Sequence, residues 1–346
     1  MTANEISQLR VRLLNWFDQH KRDLPWRRTK DAYRIWISEI MLQQTRVAAV
    51  IPYYERFIAR FPDAEALANA PEVDLLAHWA GLGYYSRAHN LRSAARDVVS
   101  AGGFPATYDG IRELPGIGDY TAAAVASIAF ELPHAVLDGN VFRVLSRVFN
   151  DSTDIKGPRA RKHFGKLADD LLDRTQPGDF NQAMMELGAT LCLPKAPQCL
   201  LCPIAEFCRA RTAQTQANLP IRVTLQRNAE EQRTVFWIER NGKLLLWQRP
   251  ADARLMPGFW ELPEGAQLPQ AEASEIIGGF RHGITVHNYK FTVVRCAPPT
   301  DVGVCQWVSL TQLNGLPTST IFRKAWRVVH RDSGREKVQL GVSAAG

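Results

Sequence analysis

Leu114-Pro115-Gly116-Ile117-Gly118 joins two helical stretches, and its glycines permit backbone angles and close approaches that a β-carbon would block. Amides exposed at the start of the next helix can then grip a phosphate. An ordinary tight helix-helix turn is the alternative, and a lone Gly-x-Gly would deserve it. The helix expected over 120–130 decides the matter: Ala122, Ala123, Ala124, Ala126 and Ala129 are small enough to admit a closely packed partner helix, so the turn is rigid and presents its backbone. Downstream, Asp138 stands in Val136-Leu137-Asp138-Gly139-Asn140, just before a helical run over 141–149. Asp is a favoured N-cap, and that role alone would explain it. Helix-terminal amides also hold a carboxylate ionised, so a chemical role is compatible with the structural one. An ionised carboxylate fixed beside such a turn can stabilise a developing cation.

At 346 residues the chain exceeds the usual size of one hydrophobic core, which implies two domains or one large one. Lys and Arg number 42 against 35 Asp and Glu, a net +7, which suits a polyanionic partner but equally a set of solvated basic faces. The opening MTANEISQLRVRLLNWF alternates charge with apolar residues, unlike the basic start and unbroken apolar stretch of a secretory signal. No run reaches the roughly 18 apolar residues of a membrane span, so no membrane partner is expected. Six cysteines in a long chain of this kind argue against a disulfide scaffold. A reducing, cytoplasmic setting is expected, nucleoid-associated in a bacterial cell.

From 6 to about 211 the pattern is helical. Ile6, Leu9, Leu13 and Trp16 recur at helical spacing, as do Leu67, Leu75, Leu76 and Trp79. Glycine and proline clusters at 81–83, 101–105 and 114–116 punctuate it. After Cys208 comes ARTAQTQANLPIRVTLQRN, which has no sustained period and reads as a linker. Beyond it, strands expected over 234–239 and 243–248 flank Asn241-Gly242, a strong hairpin signal. Further strands are expected over 291–296 and 304–310, and a closing helix over 319–330. The chain is therefore expected to be multidomain: an all-α domain over 1–212, a linker over 213–231 and an α+β domain over 232–346.

Two further features carry chemistry. Glu39 lies in Ile35-Trp36-Ile37-Ser38-Glu39-Ile40-Met41-Leu42-Gln43-Gln44-Thr45, a helix after the capping residue Asp31. It shares a stripe with Gln43 and Arg46, with Ile37, Ile40 and Met41 on the other side, which on pattern alone is a solvated polar face. Cys192, Cys199, Cys202 and Cys208 follow Cys-x6-Cys-x2-Cys-x5-Cys. Such density, in a polar loop with Pro194, Lys195, Pro197 and Pro203, disfavours four inert buried thiols. Four thiolates bind zinc or a 4Fe-4S cluster, and ligand count does not choose between them.

Together, the hairpin, Asp138 and the cysteines resemble the helix-hairpin-helix base-excision DNA glycosylases over most of 8–210. Ser38-Glu39-Ile40-Met41-Leu42-Gln43-Gln44-Thr45 and Gly81-Leu82-Gly83-Tyr84-Tyr85-Ser86-Arg87 resemble signatures of the MutY-type adenine-specific members. The resemblance implies duplex DNA holding adenine opposite 8-oxoguanine or guanine as partner, and a monomeric enzyme that extrudes the base because its reacting bonds are inaccessible in the stack. It implies Glu39 as general acid toward purine N7, later handling water, and Asp138 as ionised stabiliser of the sugar cation, with Tyr120 and Asn140 orienting both. Arg22, Trp26, Arg27, Leu42, Val47 and Gln182 would surround the flipped adenine, Gln44 and Tyr84 would enter the helix near the opposite base, and Gly116 and Gly118 would hold phosphate. Relatives that also cleave the strand, such as endonuclease III, carry a Schiff-base lysine where this chain has Tyr120. Tyrosine forms no Schiff base, so base removal without an efficient lyase step is implied. The cysteine spacing is that of these enzymes' iron-sulfur loop, which implies one 4Fe-4S cluster on Cys192, Cys199, Cys202 and Cys208, ordering a basic loop against DNA.

Residues 232–338 resemble the C-terminal domain of MutY-type enzymes, similar in fold to Nudix hydrolases. Met256-Pro257-Gly258-Phe259-Trp260-Glu261-Leu262-Pro263-Glu264-Gly265 echoes that fold's glycine-rich approach. The acidic metal-binding cluster is missing, since only Glu272 and Glu275 follow, so lesion recognition is implied rather than hydrolysis. In Phe280-Arg281-His282-Gly283-Ile284-Thr285-Val286-His287, Thr285 replaces a recognition serine and Val286 stands where the family has histidine. His287 is either the substitute or a surface histidine, and Cys296 and Cys305 are expected in the core. A pyrimidine-directed glycosylase with lyase activity leaves Tyr120 and the second domain without a reason. A non-catalytic DNA-binding module makes Glu39 and Asp138 a coincidence, and a Nudix hydrolase explains only the second half.

Overall fold

The computed structural model describes residues 1–223, 230–250, 252–253, 256, 258–284, 287–313 and 316–330. Its contacts divide the chain into two units, 1–223 and 224–346. The first is helical as expected: α1 (Ala3–His20), α2 (Ala32–Leu42), α3 (Val47–Arg60), α4 (Ala64–Ala68), α5 (Glu72–Trp79), α6 (Ser86–Ser100), α7 (Tyr108–Glu113), α8 (Asp119–Phe130), α9 (Gly139–Phe149), α10 (Ala160–Leu171), α11 (Pro177–Thr190) and α12 (Arg209–Thr212). A capping box between Thr2 and Glu5 starts α1, which buries Leu9, Leu13 and Phe17. The Asp31 carboxylate accepts from the Arg34 amide at 2.8 Å and so starts α2.

Helix α8 is the spine of the unit. Ala122, Ala123, Ala124 and Ala126 are buried in it, against α2, α7 and α11. A β-carbon on Gly178, at the start of α11, would fall 2.6 Å from the Ser127 carbonyl oxygen, so glycine is what permits this close approach. Helix α2 departs from the amphipathic expectation. Ser38 and Glu39 are buried along with Ile35, Trp36, Ile37, Ile40 and Met41, because neighbours cover the helix all round over 35–41, and Glu39 with Gln43 lines a cavity and not open solvent.

Residues 213–223, assigned to a linker by composition, are docked on the helical unit. Buried Arg147 donates from Nε to the Leu219 carbonyl at 3.1 Å, the Ile155 amide donates to Ile221 at 3.1 Å, and the Val223 amide to Asp154 Oδ1 at 3.1 Å. A buried guanidinium needs carbonyl acceptors, and this segment supplies one. Among the described residues no helix is long and apolar enough to cross a membrane.

The second unit contains β1 (Glu231–Trp237), β2 (Glu239–Arg240), β3 (Lys243–Gln248), β4 (Trp260–Glu261), β5 (Ala273–Ile284), β6 (His287–Cys296), β7 (Cys305–Ser309), α13 (Leu310–Leu313) and α14 (Thr320–Val329). Asn241 and Gly242, at φ 51° and 69°, turn β2 into β3 as expected. Within 231–240, however, only Glu239 and Arg240 form a strand pairing with β3. Residues 231–237 run parallel to β6 in a separate sheet of order β1-β6-β5, where Val235 and Trp237 pack with Phe291, Val293, Phe322 and Trp326. Burial of those side chains outweighs extension of the local hairpin. Cys296 and Cys305 lie in a small core with Ile238, Leu245, Leu268 and Val294. The stretch after Gly265 forms the strand β5, with no helix to carry a metal-binding acidic cluster.

Candidate active site

A cavity of about 520 Å³ opens in the helical unit. Arg22, Trp26, Arg27, Leu42, Val47 and Gln182 line it, as do Glu39, Gln44, Tyr120, Asp138 and Asn140. Five separate segments thus converge on residues chosen from sequence. Tyr84 lies outside the cavity lining, 60% exposed. Thr285 falls outside the described residues. His287 is partly exposed, with its Nδ1 3.1 Å from the Glu231 carboxylate.

The Tyr120 hydroxyl, carried on α8, donates to Glu39 Oε2 at 2.8 Å and lies 3.3 Å from Met185 Sδ. Burial pushes the Glu39 carboxyl up from 4.5 to about 7, with the Asp138 charge acting the same way and the Tyr120 hydroxyl and Arg27 opposing. Burial, reinforced by the two carboxylates, pushes the Tyr120 phenol well above its ordinary range, so it remains a donor. Asp138 caps α9: Oδ1 accepts from the Val141 amide at 2.7 Å and Oδ2 from Asn140 Nδ2 at 2.9 Å. Burial outweighs these bonds and the nearby Arg143, so the Asp138 carboxyl titrates above the usual aspartate range. The helix-terminal amides act in the expected direction, favouring the ionised form, but burial prevails over them. The two carboxyls are therefore held differently, one beside a phenol and one at a helix start.

Arg143 fixes the orientation of Asn140. Its Nη2 donates to Asn140 Oδ1 and to the Gly188 carbonyl, each at 2.8 Å, and its Nε to the Cys192 carbonyl at 2.7 Å. With its oxygen engaged, Asn140 turns its amide toward Asp138. A β-carbon on Gly188 would sit 2.6 Å from Asn140 Cβ, so the absent side chain lets α11 press against the start of α9.

Glu186 was not singled out by sequence. It is fully buried and accepts from Arg22 Nε and Nη2 at 2.6 and 2.7 Å and from Arg27 Nη2 at 2.8 Å. The Arg22 and Arg27 hydrogen bonds overcome its burial and hold it down to about 2. The available signal was helical spacing: Met185, Glu186 and Ala189 stand three, four and seven positions after Gln182 and line the cavity with it.

At the hairpin, Gly116 has φ +78° and a β-carbon there would meet Asn90 Cβ at 2.7 Å. Gly118 differs, since a β-carbon on it would meet nothing within 4 Å. The close approach anticipated for both glycines holds inside this chain for Gly116 alone. Among the described residues no side chain caps α8, whose N-cap is Gly118.

The four loop cysteines are partly buried, and Cys202 lies within electrostatic reach of the other three. Burial pushes the Cys202 thiol up to about 12, with Cys192, Cys208 and Cys199 acting in the same direction. Arg147 Nη1 donates to Cys192 Sγ at 3.2 Å, and the Cys208 thiol contacts the Arg147 carbonyl at 3.4 Å. Among the described residues no group of three or more His, Cys, Asp or Glu side chains is arranged to hold a metal ion.

A helical fold with a hairpin ahead of a capping aspartate, and a cavity holding a second carboxyl, defines a base-excision DNA glycosylase. Residues 37–169 match the HhH-GPD superfamily of base excision DNA repair proteins. The adenine DNA glycosylase of Mus musculus is 34% identical over 413 residues, covering 96% of this chain and 80% of the mouse protein. That of Homo sapiens is 34% identical, covering 94% and 74%. The chain belongs to the MutY-type adenine DNA glycosylase family, enzymes that hydrolyse N-glycosyl bonds in DNA. Among solved structures, a thermostable thymine-DNA glycosylase is 30% identical with a TM-score of 0.56, covering 61% of this chain and 98% of its own. An endonuclease III trapped as a covalent intermediate with DNA shares the fold at 21% identity, with a TM-score of 0.52 and 62% of this chain covered.

Proposed function

We propose that this enzyme removes adenine paired with 8-oxoguanine or guanine in duplex DNA and does so without an efficient strand-cleaving step. The observation that carries this is the Tyr120 hydroxyl donating to Glu39 at 2.8 Å, inside a cavity that also holds Asp138. Adenine is a poor leaving group. Glu39, with a pKa of about 7, carries its proton in a large fraction of molecules at neutral pH and gives it to N7 of the extruded base. The bond from C1′ to N9 then breaks, its electron pair stays on the adenine, and the Asp138 carboxylate faces the cationic sugar. Glu39, now a carboxylate, takes a proton from the water that adds to C1′. Glu186 is already committed to Arg22 and Arg27; it fixes their guanidiniums at the cavity wall and does not exchange protons in this range.

Cys192, Cys199, Cys202 and Cys208 would hold one 4Fe-4S cluster, a reading supported by their spacing in the sequence, by Cys202 lying within electrostatic reach of the other three, and by Arg147 Nη1 3.2 Å from Cys192 Sγ. When bound, the cluster supplies structural order to its loop, since glycosidic hydrolysis transfers no electrons. The second unit serves as a Nudix-like reader of the opposite base, supported by the strand that occupies the place of an acidic helix and by Glu275 paired with Arg295 at 3.1 Å. The enzyme acts as a cytoplasmic monomer.

The test compares base release from duplexes with A opposite 8-oxoguanine, A opposite G, and T opposite G. Adenine release from the first two and none of thymine from the third is expected; thymine release at a comparable rate would overturn the assignment. A second test concerns strand cleavage. Tyr120→Lys places an amine where the phenol meets Glu39, and it should give a DNA adduct trappable by borohydride that the wild-type enzyme does not form. No trapping in a folded variant would count against Tyr120 as the determinant.

A further inference from the structure

Arg87, near the start of α6, reaches across to the end of α2. Its Nη1 donates to the carbonyls of Ile40, Met41 and Gln43 at 2.7, 3.3 and 2.8 Å. Its Nη2 donates to those of Leu82 and Gly83 at 3.1 and 3.2 Å. The guanidinium carbon lies 5.3 Å from the centre of the Trp79 ring and 5.5 Å from that of Tyr84. The last carbonyls of a helix lack partners within it, and a cation there also suits the negative end of the helix dipole. Arg87 therefore serves as the polar cap of α2 while holding the 82–84 loop with its other nitrogen.

Each segment so joined contains a non-glycine residue in the left-handed region: Gln44 at φ 58° and Tyr84 at φ 50°. Such conformations persist only where the surroundings over-determine them. The Tyr84 loop has a second brace: Trp79 Nε1 donates to the Gly83 carbonyl at 3.0 Å, and a β-carbon on Gly81 would collide with the Tyr53 hydroxyl. On the Gln44 side Arg87 acts together with weaker bonds: the Thr45 amide donates to the Leu42 carbonyl at 3.2 Å, the Thr45 hydroxyl to the Gln43 carbonyl at 3.3 Å, and Gln43 Nε2 to the Thr121 hydroxyl at 3.4 Å.

We propose that Arg87 is a positioning residue whose single guanidinium locks the Gln44 turn and the Tyr84 loop into one preformed wedge, so that both side chains meet the duplex together. This rests on the reading that Gln44 and Tyr84 enter the helix near the base opposite the extruded adenine. Lysine cannot replace the device, because one ammonium lacks the planar fork that reaches two sets of carbonyls at once.

The test uses the full chain with Arg87→Lys, Tyr84→Ala and the double variant, on a duplex with 2-aminopurine next to the target adenine opposite 8-oxoguanine. The rise in its fluorescence on mixing follows unstacking, and hydrogen exchange follows the peptides over 40–46 and 81–86. Arg87→Lys is expected to slow unstacking about tenfold, the low end for losing bonds to a charged group, and to raise exchange in both peptides. Adding Tyr84→Ala should slow it little further, as for residues acting as one unit. Additive slowing, exchange rising in one peptide only, or wild-type unstacking in Arg87→Lys overturns the proposal. Should Arg87→Lys not fold, native-state exchange of the wild-type protein in dilute denaturant decides: opening of both segments as one unit supports the linkage, and separate openings overturn it. Wild-type unstacking in Tyr84→Ala overturns the duplex-entry reading, while the exchange data still report on the linkage by itself.

Discussion

Replacing Glu39 by Gln lowers single-turnover adenine excision by about 10²–10⁴-fold, the usual contribution of a positioned general acid, while duplex binding is retained. The amide keeps the shape of the side chain and can still accept from the Tyr120 hydroxyl, now 2.8 Å from Glu39 Oε2, but it has no acidic proton for N7. In the wild-type enzyme, excision should fall as pH rises through about 7 and the protonated fraction of Glu39 declines. It should fall again on the acid side as Asp138, whose carboxyl titrates above the usual aspartate range, takes up a proton. The limbs belong to the coupled pair, and the alkaline limb should vanish in Glu39→Gln. The substitution has the opposite effect on stability. The folded pKa of about 7 exceeds the ordinary 4.5, so the unfolded chain binds fewer protons between those values and stability falls as pH rises across them. Above that window the buried carboxylate costs on the order of 3 kcal/mol. Glu39→Gln should therefore melt at a higher temperature than wild type at pH 8, with the gain disappearing at pH 4. A wild-type excision rate in this variant would remove Glu39 from the chemistry.

Asp138 could be placed from sequence because an N-cap is a local device: an acidic residue, then a helical run, then a bond to the amide three residues on. The hairpin was legible for the same reason, as was the Asn241-Gly242 turn. Glu39 was not legible from periodicity, since a helix covered on all sides loses the contrast between faces that the method reads, and only the extended motif singled it out. Glu186 was missed because its partners Arg22 and Arg27 lie far away in sequence, at separations of 164 and 159. Arg87 likewise acts through carbonyls up to 47 positions away. The parallel pairing of β1 with β6 joins residues 231–237 to 289–295, a non-local contact that no short window contains. The docking of 213–223 depends on a buried arginine elsewhere, and composition alone assigned that stretch to a linker. Local hydrogen bonding was visible in the sequence, and long-range satisfaction of buried charges was not.

Asp138→Asn should lower single-turnover excision by about 10²–10³-fold, in the range found when one electrostatic partner of a transition state is lost. The substitution is a severe test because asparagine is as good an N-cap as aspartate and its oxygen can still accept from the Val141 amide, 2.7 Å away in the wild type. Two things change. The charge facing the sugar is removed, and the new amide confronts the amide of Asn140, which now donates to Asp138 Oδ2 at 2.9 Å. Asn140 cannot turn over to relieve that clash, because its oxygen holds Arg143 Nη2 at 2.8 Å, and Arg143 is in turn bonded to Gly188 and Cys192. The two effects separate by ligand. A duplex bearing a cationic pyrrolidine at the target sugar should lose affinity for Asp138→Asn, and one bearing an uncharged tetrahydrofuran should lose far less. Equal losses would mean that Asp138 acts by holding the site in shape, through Asn140 and α9, and that its charge contributes little to the transition state.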